Sequence, residues 1–289
     1  GTFAYEDYIE GVGFTDEIFT IRSAVTVKGD RVLIDFTGSS PSTKGPINSV
    51  YGITLACIFY VMKAVTDPSI PTNEGTYRPV DVIAPEGTIV NARFPSAMGL
   101  ANTITSQRIV DALLGAIHQA IPEKVCAACT GSMTPCGFGG ISSRTGRYFS
   151  YVETYGGGYG ATHARDGIGG VHTHMSNSQN APTEVIEITY PLMVEKYGLV
   201  PDSEGPGRYR GGFGGGCSAV VGSLDRRRPL AVRGGCSSGT AYDPDVSQGT
   251  PDGGVGGSED GGHGDAQGSR EVGDAGIGSD EGGRVLLEA

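Results

Sequence analysis

The recurrence of apolar side chains along the chain predicts most of its regular elements. From Glu17 to Ser39, EIFTIRSAVTVKGDRVLIDFTGS alternates apolar and polar positions on either side of Gly29-Asp30, which predicts two strands joined as a hairpin. The denser run from Ile53 to Val65, ITLACIFYVMKAV, has the length of a buried helix. Asn48 and Ser49 stand where caps for it are expected, and Asp67-Pro68 stops it. RPVDVIAPEGTIVNARFP reads as two short strands around a turn at Pro85-Glu86-Gly87. In TSQRIVDALLGAIHQAI, the residues Ile109, Leu113, Ala116, Ile117 and Ala120 fall at helical spacing; a Thr or Ser caps the start and Pro122 ends it. RYFSYVETYGG and TEVIEITYPLM alternate as strands. Strands and helices in irregular order, with no repeat unit, predict an α+β fold: mixed or antiparallel sheets with a few buried helices.

The pattern fails near Gly216. The residues after it are rich in Gly, Asp and Ser, with Tyr242 as their one aromatic. Such a composition buries too little apolar surface to offset the entropy of ordering the chain. The expected organisation is therefore a globular domain over residues 1–216 and a disordered tail over 217–289. The tail's texture, Gly and Asp without a repeat, also matches translation of a GC-rich gene in a shifted frame.

Charge and composition narrow the function classes. A formal net charge of −11 argues against an electrostatic hold on nucleic acid or on an anionic membrane. The longest apolar run is too short to span a bilayer and carries Lys63. The chain opens on GTFAYEDYIEG, without a basic-then-apolar leader, so a cytoplasmic setting is expected; the opening reads as the interior of a longer sequence. Six cysteines in 289 residues do not make a disulfide scaffold.

Candidate chemistry gathers in the second half of the domain. Three of the five histidines, His163, His172 and His174, lie close together with Asp166 in THARDGIGGVHTHMSNSQNAPTEVIE. On an extended segment His172 and His174 leave the same face, which suits two ligands of a zinc, manganese or iron ion, with a third from His163, Asp166 or elsewhere. The competing reading is a hydrogen-bonded, glycine-rich loop. Cys126 and Cys129 form a CxxC pair, but no second pair follows at zinc-ribbon spacing and no thioredoxin-like strand and helix flank it, so small-residue packing is the expectation. ETYGGGYGAT lacks a following Lys-Ser or Lys-Thr and matches no nucleotide-binding pattern; its glycines suit a tight turn or close approach. NTITSQRIVD puts Asn102, Ser106, Gln107 and Arg108 at a helix start, where an arginine grips an anion or pairs with an acid such as Asp111. Arg208 and Arg210 sit in a second glycine-rich loop, read as a solvated turn.

Taken in order, LIDFTGSS, PTNEGTYRPVDVIAPEGTIVNARFP, ANTITSQRIVDALLGA, ETYGGGYGA, DGIGGVHTHMSNSQNAPTEVIE and GPGRYRGGFG resemble the hydantoinase B/oxoprolinase family across most of residues 1–216. The family includes one chain of N-methylhydantoinase, the C-terminal part of 5-oxoprolinase, and subunits of acetone and acetophenone carboxylases. The resemblance implies an ATP-dependent, heteromeric enzyme whose hydantoinase A-type partner binds ATP and Mg2+. The substrate would be a small cyclic amide whose ring is opened, or, in the alternative, a ketone that is carboxylated. A third reading is a non-catalytic remnant that only binds a partner. Family motifs resembling ligands for a divalent metal lie upstream of anything in this chain, and Ile104 stands where relatives commonly carry an acidic residue. The site residues implied here are His172, His174 and Asp166 as catalytic groups, with Asn177, Arg108 and Asn102 toward substrate.

Overall fold

The computed structural model describes residues 1–12, 15–142, 144–221, 230–235, 276–279 and 285–288, with side chains described up to residue 215. Its main sheet has the order β1-β2-β3-β4, built from β1 (Thr2–Glu10), β2 (Ile18–Lys28), β3 (Arg31–Asp35) and β4 (Val80–Ile83). The expected hairpin is β2–β3. It turns at Gly29, whose φ of 61° a side chain would resist, and pairs Lys28 with Arg31. Alternation in β2 sends Phe19, Ile21, Ser23 and Val25 into the core. The buried Ser23 hydroxyl donates to Ala112 O at 2.9 Å, so its burial costs no lost hydrogen bond.

α1 (Tyr51–Val65) carries the chain over to β4, which joins β3 in parallel. It buries Thr54, Cys57, Ile58, Val61 and Val65. Neither Asn48 nor Ser49 caps it: the position before Tyr51 is Val50, with no side-chain cap. Asn48 is instead fully buried and ties its own loop to the one at Ala97, accepting from Thr43 N and donating to the carbonyls of Thr43, Gly45 and Ala97. A short helix α2 (Glu74–Tyr77) precedes β4. The second strand expected in this stretch is absent; Thr88 makes only isolated bridges to Pro41 and Asn91.

α3 (Ser106–His118) packs on β1, β2 and α1 as the central helix, with Ile109, Val110, Leu113 and Ala116 fully buried. Burying each of its large aliphatic side chains stabilises the fold by roughly 1.5–3 kcal/mol. It is entered through a π-helical turn, Ala101–Thr105, and has no Thr or Ser side-chain cap. It ends at His118, before Pro122, which opens a 3-10 turn over Pro122–Lys124.

Beyond it, β5 (Pro135–Ile141) and β6 (Tyr148–Thr154) form a two-stranded sheet. The stretch TEVIEIT, expected as a strand, is helix α4 (Thr183–Thr189). Its alternation buries only Ile186 while Ile188 stays 79% exposed, so no sheet face forms for it. Pro182 and Glu184 at its start favour the helical alternative. β7 (Leu192–Leu199) pairs with β8 (Gly215–Val221), and β8 with β9 (Leu230–Gly235). The mixed α+β class is thus as expected. β8 crosses residue 216, and β10 (Gly276–Ser279) pairs antiparallel with β11 (Val285–Glu288). The expectation of disorder for the remainder of 217–289 lies outside the described residues.

Candidate functional site

Arg108, Asp111 and Gly115 stand at i, i+3 and i+7 on α3 and therefore share a face. That face looks onto β1. Gly115 lies against the Tyr5 ring so closely that a Cβ there would overlap it. The two elements leave a cavity of about 30 Å³, enough for one water, lined by Tyr5, Asp7, Asp111, Leu114, Gly115, Cys126 and Ala128. Asp7 Oδ1 accepts the Tyr8 N–H at 2.8 Å and lies 3.4 Å from Arg108 Nη1, while Asp7 Oδ2 is buried without a hydrogen bond. Burial raises the Asp7 carboxyl to about 6; Arg108 opposes that rise and Asp111 adds to it.

His174 reaches the same Asp111 from the opposite side. Its backbone is left-handed, with φ of 46°, a conformation that a non-glycine residue holds only where its surroundings over-determine it. The imidazole is 1% exposed. Nε2 lies 3.3 Å from Asp111 Oδ1, an ion-pair separation without hydrogen-bond alignment, and Nδ1 lies 3.2 Å from the Tyr60 hydroxyl on α1. The Tyr60 and Tyr159 rings close over it at centroid distances of 5.8 and 5.9 Å. Burial drives the His174 pKa down, but Asp111 and then Cys126 outweigh it, so the net displacement is upward and the imidazolium is favoured.

Cys126 is the anionic counterpart. The Cys129 thiol hydrogen-bonded to it does most to lower its pKa, and His174 and Tyr159 assist against burial, leaving it at about 7. Burial raises the hydroxyls of Tyr60 (to about 12) and Tyr159, with the cysteine charges adding to it, so both stay protonated, and the Tyr60 oxygen can accept from the Nδ1–H of a protonated His174. The cluster thus sets the imidazole and a guanidinium among two carboxyls and an acidic thiol; His174 and Asp111 are buried, while Arg108 keeps about a third of its side chain in solvent (34%). Such a set can move a proton and orient a polar substrate.

Of the residues singled out in the sequence, this cluster brings together His174 and Arg108. His172 does not share a face with His174. The segment turns at Thr173–Ser176 instead of running extended, so His172 Nδ1 meets Ser176 Oγ at 3.0 Å while its Nε2 is buried without a hydrogen bond. Asp166 is exposed and accepts the Arg210 backbone N–H at 2.8 Å, which staples two glycine-rich loops. His163, Asn102 and Asn177 are exposed, and the Asn102 carbonyl accepts from Ser106 Oγ. Arg108 pairs with an acid, one of the two roles open to it from the sequence, but the contact is Asp7, with Asp111 acting through its field. Asp7, Asp111, Tyr60, Tyr159 and Cys126 were not foreseen as site residues. The shared face of Arg108 and Asp111 and the CxxC spacing were the signals available for two of them, Asp111 and Cys126.

The glycines of 156–160 serve close packing. A side chain at Gly157 would overlap Thr130 and one at Gly160 the Ala127 carbonyl, while the Gly157 and Gly160 N–H groups are taken by Val171 O and Cys129 Sγ. These two amides are thus already engaged within the fold. Among the described residues no group of three or more His, Cys, Asp or Glu is arranged to hold a metal ion. Nor is any helix there long and apolar enough to cross a membrane.

Residues 1–275 match the family described as Hydantoinase B/oxoprolinase. An uncharacterized protein of Methanocaldococcus jannaschii is 42% identical over 72% of this chain and 35% of its own length. The 5-oxoprolinase 1 of Arabidopsis thaliana is 31% identical over 78% of this chain and 16% of its own. Among solved structures, the ATP-dependent caprolactamase from Pseudomonas jessenii superposes with a TM-score of 0.70 at 23% identity, over 84% of this chain and 52% of that one. The chain therefore spans about a third or less of the two sequence relatives.

Proposed function

Because this chain belongs to the hydantoinase B/oxoprolinase family, we propose that it supplies part of the catalytic surface for ATP-dependent opening of a small cyclic amide. A hydantoinase A-type subunit would bind and cleave ATP with Mg2+. The 5-oxoprolinase relative supports the reaction class, and the occupied amides of Gly157, Tyr159 and Gly160 are consistent with a nucleotide held elsewhere. ATP would supply a phosphorylated oxygen as leaving group, which removes the barrier that amide resonance imposes. A resident metal would need donors from outside the described residues, since Asp111 and His174 face each other here.

The observation that carries the proposal is the buried His174–Asp111 pair, held in left-handed backbone within the segment that bears the family motif. In this reading His174 carries the proton and Asp111 and Tyr60 fix the ring. Arg108 holds the charge of Asp7 next to it. Asp166, His172 and Asn177 lie in loops, and Asn102 in the π turn, that would frame the approach of substrate. The chain co-purified with a hydantoinase A-type subunit is expected to release phosphate from ATP only when a lactam such as 5-oxoproline is present. His174→Gln should lower kcat by about 10²–10⁴ with little change in binding of the partner, the range of a lost general acid–base group. Release that instead needs a ketone and bicarbonate would replace the amidase by a carboxylase. Partner binding without turnover under either condition would leave a non-catalytic subunit.

A further inference from the structure

The CxxC pair is not absorbed by this chemistry, and its setting differs from plain packing. The segment from Val125 to Thr130 lies clamped along the glycine loop: Ala127 N donates to Ala161 O at 2.8 Å and Thr130 N to Gly158 O at 3.0 Å. The clamp is tight enough that Gly157 and Gly160 admit no side chain. It fixes the two thiols in unequal environments. Cys129 is 6% exposed and accepts the Gly160 N–H at 3.3 Å, whereas Cys126 is only partly buried and lines the cavity beside Asp7 and Asp111. The remaining described cysteines lack this arrangement: Cys57 is fully buried with its thiol against Ser106 O, and Cys136 lies in β5.

We propose that Cys126 and Cys129 form a thiol–disulfide exchange site for small disulfides, with Cys126 as the attacking thiol and Cys129 as the resolving one. The Cys126 thiolate attacks one sulfur of a disulfide RSSR; the Cys126–SR bond forms, the S–S bond breaks and RS⁻ departs. Cys129 then gives its proton to solvent and attacks Cys126 Sγ, releasing the second RS⁻. The dithiol loses two electrons and the small disulfide gains them. The order of attack follows from charge. While Cys126 is a thiolate, its hydrogen bond, then burial, then its charge hold the Cys129 proton in place; once Cys126 is a neutral mixed disulfide, only burial and the Asp111 charge still do so. The groups facing Cys126 are His174 and Tyr159, which favour its thiolate, and Asp111, which disfavours it. Closing the disulfide removes the negative charge beside His174, so oxidation is felt at the proposed active site. The exchange itself does not depend on the identity of any amide substrate.

The test uses the folded full chain and oxidised glutathione as the probe, followed by acid quench, alkylation and peptide mass spectrometry. The expected product has lost two hydrogens, with fragmentation placing the link between Cys126 and Cys129. In Cys129→Ser, glutathione should remain on Cys126; in Cys126→Ser, Cys129 should stay reduced. At pH 7 a thiol at about 7 is about half ionised against about 1% for one at the ordinary value, and the accompanying loss of nucleophilicity leaves about a fivefold faster exchange at Cys126 than in the urea-unfolded chain. A link through Cys136, or a wild-type chain left fully reduced when its unfolded form reacts, overturns the proposal even if the serine variants fail to fold. Lactam-dependent turnover is read separately, so its failure is distinguishable from failure of the exchange.

Discussion

Asp7→Asn isolates one buried charge and gives the cluster a quantitative test. The substitution keeps the side chain's size and an oxygen able to accept the Tyr8 N–H, and removes the ionisable group. In the wild type, folding raises this carboxyl from 3.8 to about 6, through burial first and the Asp111 charge in addition, with Arg108 pulling the other way. The folded chain thus holds the proton more tightly than the unfolded chain. Its contribution to stability is fully present below pH 3.8 and is lost as the pH climbs through 6. A little over two pKa units at about 1.36 kcal/mol each gives about 3 kcal/mol lost across that window. Urea unfolding followed by tyrosine fluorescence is suitable, since the chain has 13 tyrosines and no tryptophan. Subtracting wild type from variant at each pH cancels the other carboxylates. The variant should gain about 3 kcal/mol relative to wild type between pH 4 and pH 7. A difference that is flat with pH, or one that moves in favour of the wild type, would refute the reasoning and make the Arg108 contact the dominant influence on Asp7.

His174 titrates with the same sign in a higher window. Its folded pKa is raised, so its contribution is present below its ordinary value of 6.5 and is lost as pH rises through the folded value; the stability advantage of wild type over His174→Asn should therefore shrink above neutrality in the same unfolding series. Cys126 runs the other way, its contribution being present above pH 9 and lost as pH falls through about 7, which a Cys126→Ser series should reveal as a relative gain on acidification. Two glycines should diverge sharply under alanine substitution. Gly160→Ala forces a Cβ onto the Ala127 backbone and should cost upwards of about 3 kcal/mol, whereas Gly52→Ala meets open space on α1 and should stabilise by several tenths of a kcal/mol, both read from urea midpoints.

Periodicity located β2, β3, α1, α3 and β6 because each packs against the core in the way its own pattern requires. Where a neighbour decides instead, the pattern misled. TEVIEIT carries strand-like residues, yet no described strand pairs with it, β7 beside it being paired to β8, and a proline-led helix satisfies its backbone. β5 was invisible because glycine at 137, 139 and 140 erases alternation, and its existence depends on β6 across from it. Asn48 has the chemistry of a cap but fills a three-carbonyl hub assembled from residues up to 97. The site shows the same division. His174 and Arg108 were visible as unusual residues in unusual places. Asp111 looked like an ordinary helix acid, and only the arrival of a loop some sixty positions later gives it a histidine partner. The cysteines suggest packing because the sequence does not reveal that the glycine loop grips them and lets Cys126 alone reach the cavity.

The π turn at the head of α3 has an evolutionary consequence. Its widened ring, seen in the Ser106 N–H reaching back to Ala101 O, is equivalent to an α-helix with one residue inserted. Deleting one codon from 101 to 105 would close that ring into an ordinary α turn, so the change is absorbed at the head of the helix, before Arg108 and Asp111. The charged face would keep its alignment on β1, because that is fixed from the other end by Gly115 against Tyr5. This turn is therefore a place where a lineage can gain or lose a residue while the ionisable cluster further along the helix stays as it is.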